Sequence, residues 1–192
     1  MSLAPREGES LDHLVNGWRI FQLVRGHRFS TDDLVVTWRA TKAMPHAKRL
    51  LDIGCGIGSV GLSTLSHLDP SATMVGVEAQ ALSVGLARRT IEYNGLADRV
   101  RIVNADLRDP DVLPEGSQFD LITGSPPYIP EGKGVLSPIP QRAAARIELR
   151  IDHRLLPGGP PLVGAGGTLL LRHGERRPAN GGGTSECRIR RP

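Results

Sequence analysis

The residues best suited to chemistry form one run, Asp52-Ile53-Gly54-Cys55-Gly56-Ile57-Gly58. Glycine at every second position lets a backbone turn sharply and approach a ligand without interference from Cβ. A dinucleotide site has the spacing G-x-G-x-x-G, whose third glycine would fall at 59, where this chain has Ser59. The spacing G-x-G-x-G instead suits S-adenosylmethionine, which carries a carboxylate and no pyrophosphate, with a following helix offering its N-terminal amides. Asp52, Gly54, Gly56 and Gly58 are the first candidates for binding it. Such a turn can also be purely structural, so the neighbouring strand ends matter. Glu78 stands twenty residues past Gly58, where a carboxylate can accept hydrogen bonds from ribose hydroxyls. Asp106, closing Asn104-Ala105-Asp106, can accept from an adenine amino group. Together these residues supply what one nucleoside-like ligand needs.

A second group could act on a substrate. In Gly124-Ser125-Pro126-Pro127-Tyr128 the two prolines fix φ and lack N–H groups, so the first carbonyl is held outward. With the Ser125 hydroxyl it forms a pair of acceptors for a planar amino group, and Tyr128 can stack on the ring that bears it. Holding a nitrogen lone pair towards a methyl donor supplies most of the catalysis in this chemistry. Ser125, Pro126, Pro127 and Tyr128 are the candidate catalytic residues.

The elements that must position these groups follow a strand-then-helix rhythm. Short apolar runs at 50–53, 73–77, 100–103 and 119–123 read as strands, and 60–68 and 80–93 as helices. Strands apolar on both faces and alternating with helices imply an α/β, Rossmann-like, doubly wound and mostly parallel sheet. Its ligands sit outside the carboxyl ends of the strands, where every motif above falls. Upstream, residues 11–28 read as strand or hairpin pieces. Ser30 or Thr31 caps a helix with Asp32 and Asp33 in its first turn.

These residues resemble a class I S-adenosylmethionine-dependent methyltransferase of the amino-group type, whose signature is Asn, Asp or Ser before Pro-Pro-Tyr. The segment Gly26-His27-Arg28-Phe29-Ser30-Thr31-Asp32-Asp33 further resembles the bacterial family that methylates the N6 amine of an adenine in the valine tRNA. The likeness covers residues 11–150 or so. It implies that Gly54, Gly56 and Gly58 cradle the methionine part, that Glu78 holds the ribose and Asp106 the adenine, and that residues 125–128 hold the target base. Ser125 departs from the commoner Asn of the tRNA group and also occurs in DNA cytosine-amino enzymes. Arg142 and Arg146 (with Arg150) recur at four-residue spacing in an expected helix at 141–150, and could hold RNA phosphates or be a solvated face. The function implied is N-methylation of a base in RNA, first of all adenine N6 in tRNA. The alternatives are glutamine N-methylation of a protein and a non-catalytic, truncated S-adenosylmethionine-binding module.

Composition sets the frame. The 192 residues suit one domain, and 39% hydrophobic content can form a core that must be aliphatic, since aromatics make up 4%. No run approaches a bilayer span, no secretory leader is visible, and Cys55 and Cys187 suggest a reducing cytoplasm. The six histidines form no metal-ligand spacing, so neither a metal nor a membrane partner is expected. The first 150 residues balance seventeen basic against seventeen acidic side chains, so the net charge of +4 arises wholly beyond them. This divides the chain into an N-terminal extension with a cap helix (1–48), a cofactor-binding catalytic core (49–150) and an aberrant Gly/Pro/Arg-rich tail (151–192). Read one nucleotide out of frame, residues 155–168 can spell YCRAARRWLAPGGR, with the Pro-Gly-Gly turn the resemblance calls for. The expectation is therefore a frameshifted tail, with C-terminal strands missing or disrupted and the fourth strand or its neighbour left as an unpaired apolar edge.

Overall fold

The computed structural model describes residues 3–107, 109, 111–114, 116–124 and the strand at 163–171. In chain order the elements are β1 (Glu9–His13), β2 (Arg19–Leu23), α1 (Thr31–Ala43), β3 (Arg49–Ile53), α2 (Ser59–Leu65), β4 (Thr73–Glu78), α3 (Ala81–Tyr93), β5 (Val100–Asn104), β6 (Phe119–Gly124) and β7 (Val163–Leu171). Five strands form one sheet in the order β5-β4-β3-β6-β7, with every neighbouring pair parallel. The α/β parallel sheet expected from the sequence is therefore present, and β3, which leads into the glycine run, sits at its centre.

Alternation along each strand explains the two-faced burial. Leu50 and Met74 point into one cluster with Leu62, Leu65, Leu86, Ile102 and Leu121. Leu51, Ile53, Val77, Phe119 and Ile122 point into another on the opposite face. Side chains at successive strand positions leave on opposite sides, so a strand apolar throughout must be covered on both. Leu50 is fully buried at the centre, and Leu50→Ala there would cost about 2–5 kcal/mol.

The N-terminal segment packs onto this core. β1 and β2 pair as an antiparallel hairpin, and Leu14, Ile20 and Phe21 join the first cluster. β2 is fastened to α3 by side chains. Asn94 accepts from the Arg19 amide at 2.9 Å and donates to the Arg19 carbonyl at 2.8 Å, while Thr90 Oγ1 accepts from the Phe21 amide at 3.0 Å. On the same helix, Arg89 pairs with Glu9 of β1 at 2.6 Å and lies 4.2 Å over the Phe21 ring. The next segment is tied back as well. Arg28 donates to the Leu23 carbonyl at 3.0 Å and to Asp12 at 3.1 Å, and the Phe29 amide donates to Gln22 Oε1 at 2.9 Å. Ser30 then caps α1, its amide donating to Asp33 Oδ2 at 3.1 Å.

The edge expectation needs correction for the fourth strand. β6 is not left as an unpaired edge, because β7 lies beside it with Leu121 opposite Thr168 and Gly124 opposite Leu171. The Gly/Pro-rich composition of the tail hides Thr168-Leu169-Leu170-Leu171, an apolar run that suits a strand and meets an edge needing a partner. Residues 125–162 and 172–192, including the expected helix at 141–150, lie outside the described residues.

Candidate cofactor and methyl-transfer site

The glycine run leaves β3 at the carboxyl end of the sheet. Gly54, Gly56 and Gly58 have φ of 61°, 56° and 89°, a left-handed backbone that other residues adopt only with strain. The Cys55 amide donates to the Val77 carbonyl at 3.0 Å, and the Gly58 amide closes the turn on the Cys55 carbonyl at 2.8 Å. A Cβ at Gly54 or Gly56 would meet nothing within 4 Å among the described residues, so the loop leaves room there for a ligand. At Gly58 it would come 3.1 Å from Leu62 Cδ1, so this glycine also leaves room for the Leu62 side chain of α2.

Glu78, at the end of β4, is bound to this loop. Its Oε2 accepts from the Gly56 amide at 2.9 Å and its Oε1 from the Gln80 amide at 2.7 Å. Each carboxylate oxygen has a second lone pair, so Glu78 can still accept from a ligand. Asn104, whose role the sequence reading missed, donates from Nδ2 to the carbonyls of Glu78 at 2.9 Å and Ala79 at 3.0 Å. The signal was present as an amide one residue before Ala105-Asp106, but only the register that places Asn104 opposite Glu78 gives it meaning. Asp106 follows β5 in a half-buried position, and its carbonyl accepts from the Asp109 amide at 3.0 Å.

Asp52 behaves differently from the other candidate binding residues. It is 1% exposed, and its oxygens accept from the Thr123 hydroxyl at 2.8 Å and the Gly61 amide at 3.0 Å. A Cβ at residue 61 would lie 2.7 Å from Asp52 Oδ2, so the glycine there is what admits the carboxylate against α2. Burial pushes its pKa up to about 7, the Thr123 and Gly61 donors oppose this, and Asp33 and Glu78 add to it. One α2 amide that the sequence reading offered to a ligand is thus already taken by Asp52.

The structure adds Asp33, which the sequence reading treated only as a first-turn acid. It is 4% exposed, and its Oδ2 accepts from Ser59 Oγ at 3.0 Å as well as from the Ser30 amide. Burial raises its pKa against those bonds and the nearby His27. Asp33, Asp52, His27, Gly54, Gly56 and Ile57 line one cavity in front of the loop. The Cys55 thiol is buried and its pKa is pushed well above the usual value by burial, then by Asp52 and Glu78, so it is not a reactive thiolate. The sheet thus brings Gly54, Gly56, Gly58, Glu78 and Asp106 to one end, with Asp52 beneath them. β6 ends at Gly124, paired with Ile53 at the start of the loop. Ser125, Pro126, Pro127, Tyr128, Arg142 and Arg146 lie outside the described residues.

Residues 31–169 match the family described as Methyltransferase small domain. The chain belongs to that family. Among curated relatives, this methyltransferase small domain is 34% identical over 109 residues to the tRNA1(Val) (adenine(37)-N6)-methyltransferase of Escherichia fergusonii, covering 57% of this chain and 43% of that one. It is equally 34% identical, over 152 residues, to the release factor glutamine methyltransferase of Geobacter sulfurreducens, covering 74% of this chain and 51% of that one. The chain thus spans about half the length of the curated relatives it matches. Its fold resembles an O-methyltransferase family protein from Burkholderia thailandensis, with TM-score 0.52, 21% identity, and coverage of 73% of this chain and 36% of that one. It also resembles Pyrococcus horikoshii TYW2, solved with MeSAdo, at TM-score 0.50 and 24% identity, covering 62% of this chain and 42% of that one. The family match runs on to residue 169, past the composition break at Arg150 and into β7. Among the described residues no helix is long and apolar enough to cross a membrane, and no group of three or more His, Cys, Asp or Glu could hold a metal ion.

Proposed function

We propose that this chain binds S-adenosylmethionine at the carboxyl ends of β3, β4 and β5 and takes part in methyl transfer to the exocyclic amino group of a base in RNA, first of all adenine N6 in tRNA. The observation that carries the reading is the loop itself. Gly54 and Gly56 hold a left-handed backbone with nothing near their Cβ positions among the described residues, and the Gly56 amide donates to Glu78, the carboxylate this reading assigns to the ribose. These residues fit the cofactor. Gly54, Gly56 and Gly58 would take its methionine part, Glu78 its ribose and Asp106 its adenine amine. When bound, it supplies an electrophilic methyl group on sulfur.

The remaining work belongs to the residues that follow β6 in sequence. Ser125 and the Pro126 carbonyl accept from the planar amino group, which turns its nitrogen lone pair towards the methyl group. Tyr128 stacks on the base, which must leave its helical stack to arrive there. Arg142 and Arg146 neutralise backbone phosphates. Catalysis on this reading is mainly positioning.

A glutamine side chain presents the same planar NH₂, and the release factor relative covers more of this chain than the tRNA relative does. Incubation of total RNA with the chain and methyl donor, followed by nucleoside mass spectrometry, separates the two. The RNA reading expects new N6-methyladenosine and binding that weakens steeply with salt. A labelled release factor with unchanged RNA would select the protein substrate. Cofactor binding with transfer to neither would leave a binding module.

A further inference from the structure

We propose that Asp33, from the N-terminal segment, is the acceptor for the α-ammonium group of the bound cofactor, completing from outside the core a site otherwise built by β3, β4 and β5. The inference rests on the cofactor reading above and adds a residue to it.

Three buried carboxylates, Asp33, Asp52 and Glu78, stand around the loop, and Asp33 and Glu78 both raise the pKa of Asp52. Among the described residues lining the cavity, His27 is the only side chain able to carry positive charge. A cationic ligand group would suit this field. The three acids are not equally able to meet it. Asp52 spends one oxygen on Thr123 and the other on Gly61, beneath the loop. Glu78 accepts from Gly56 and Gln80 at the end of β4 and is not among the residues lining this cavity. Asp33 uses only Oδ2, which takes both the Ser30 amide and the Ser59 hydroxyl, and Oδ1 accepts no hydrogen bond among the described residues. Its carboxylate lines the cavity with Gly54 and Gly56, on the side where a methionine part would lie. The bonds to Ser30 and Ser59 fix the carboxylate, so an arriving ammonium group meets a preorganised acceptor. Its raised pKa is what such a partner would relieve.

The test uses calorimetry on the full chain with two probes, S-adenosylhomocysteine and its analogue lacking the amino group. Asp33→Asn keeps a carbonyl oxygen for Ser30 and Ser59 but turns an NH₂ towards the ammonium group, and a matched thermal midpoint confirms that it folds. The variant is expected to lose about 10- to 100-fold in affinity for S-adenosylhomocysteine, as for a charge-assisted hydrogen bond. Its affinity for the deaminated analogue should stay within about twofold of wild type, since that contact is already absent. Equal losses for both probes would make Asp33 a prop of the loop and overturn the proposal, as would unchanged affinity for S-adenosylhomocysteine. Wild-type protein that binds neither probe would overturn the cofactor reading itself, and the proposal with it.

Discussion

Thr123 donates its hydroxyl to Asp52 Oδ1 at 2.8 Å, straight across the β3–β6 pair in which the two residues are register partners. This bond joins the strand that opens into the glycine loop to the strand that ends at Gly124, just before Ser125-Pro126-Pro127-Tyr128 in sequence. Thr123→Val keeps the shape and removes the donor, leaving a buried carboxylate oxygen without a partner. A loss of about 1–3 kcal/mol is expected in urea denaturation, with an unchanged slope. An unaltered midpoint would show that the bond adds nothing net.

The charge on Asp52 has its own signature. Its folded pKa of about 7 lies above the ordinary 3.8, so the folded state holds the proton more tightly than the unfolded one. The stability that follows is complete below about pH 4, falls by up to about 1.4 kcal/mol per unit as pH rises to about 7, and is flat above. Asp33, also raised, slopes the same way. Glu9, Asp12 and Asp120 are lowered and slope oppositely, but act at more acid pH. In Asp52→Asn the amide can accept from Gly61 and donate to Thr123 without a buried charge. The variant should therefore exceed wild type in stability at pH 8, and the gap should close towards pH 5. A gap that does not change with pH would contradict the assignment.

Glu78→Ala should weaken S-adenosylhomocysteine binding by about 1.5–3 kcal/mol, the usual worth of a charge-assisted bond. Because Glu78 also holds the Gly56 amide, the loop loses an anchor, and the effect should lie towards the upper end. Calorimetry showing no change would remove Glu78 from the site.

Tyr128→Ala bears on the substrate instead. It should lose on the order of 1–3 kcal/mol of stacking with the target base while cofactor affinity holds. A parallel fall in both affinities would mark Tyr128 as a structural prop.

The hairpin's attachment can be tested at Glu9. Glu9→Gln leaves Arg89, itself 5% exposed, without its counter-charge, and about 3 kcal/mol of stability should be lost in thermal or urea unfolding. A loss below about 1 kcal/mol would mean that water reaches the pair.

The parts of this molecule legible in the sequence are those governed by local pattern. The strands at β3, β4, β5 and β6 are short apolar runs that end in glycine or a polar residue, and the helices α1 and α3 carry a capping serine and a terminal Asn-Gly. The loop glycines and Glu78 follow from spacing once a parallel sheet is accepted. Asp33 did not, because its importance depends on Ser59, twenty-six residues away, and only the packing of α1 on α2 brings the two together. Asp52 was legible as part of the loop but not in its direction, since strand alternation turns its carboxylate to Thr123 and Gly61. β7 was obscured by its own glycines. A glycine-rich stretch loses more entropy on ordering, yet residues 168–171 pair in register with residues 121–124, and the pairing is irregular only next to the glycines, between Phe119 and Leu121.

The way β2 is fastened to α3 bears on how the protein behaves in a crowd. Residues 19, 21 and 23 direct their main-chain groups away from β1, the side on which a two-stranded ribbon could recruit another strand. Asn94 meets both groups of Arg19, Thr90 meets the Phe21 amide, and Arg28 meets the Leu23 carbonyl. Side chains of a helix and a loop thus fill the places that a neighbouring strand's backbone would occupy. A strand from another molecule finds those hydrogen-bonding groups already taken, which protects the folded hairpin from growing into a shared sheet.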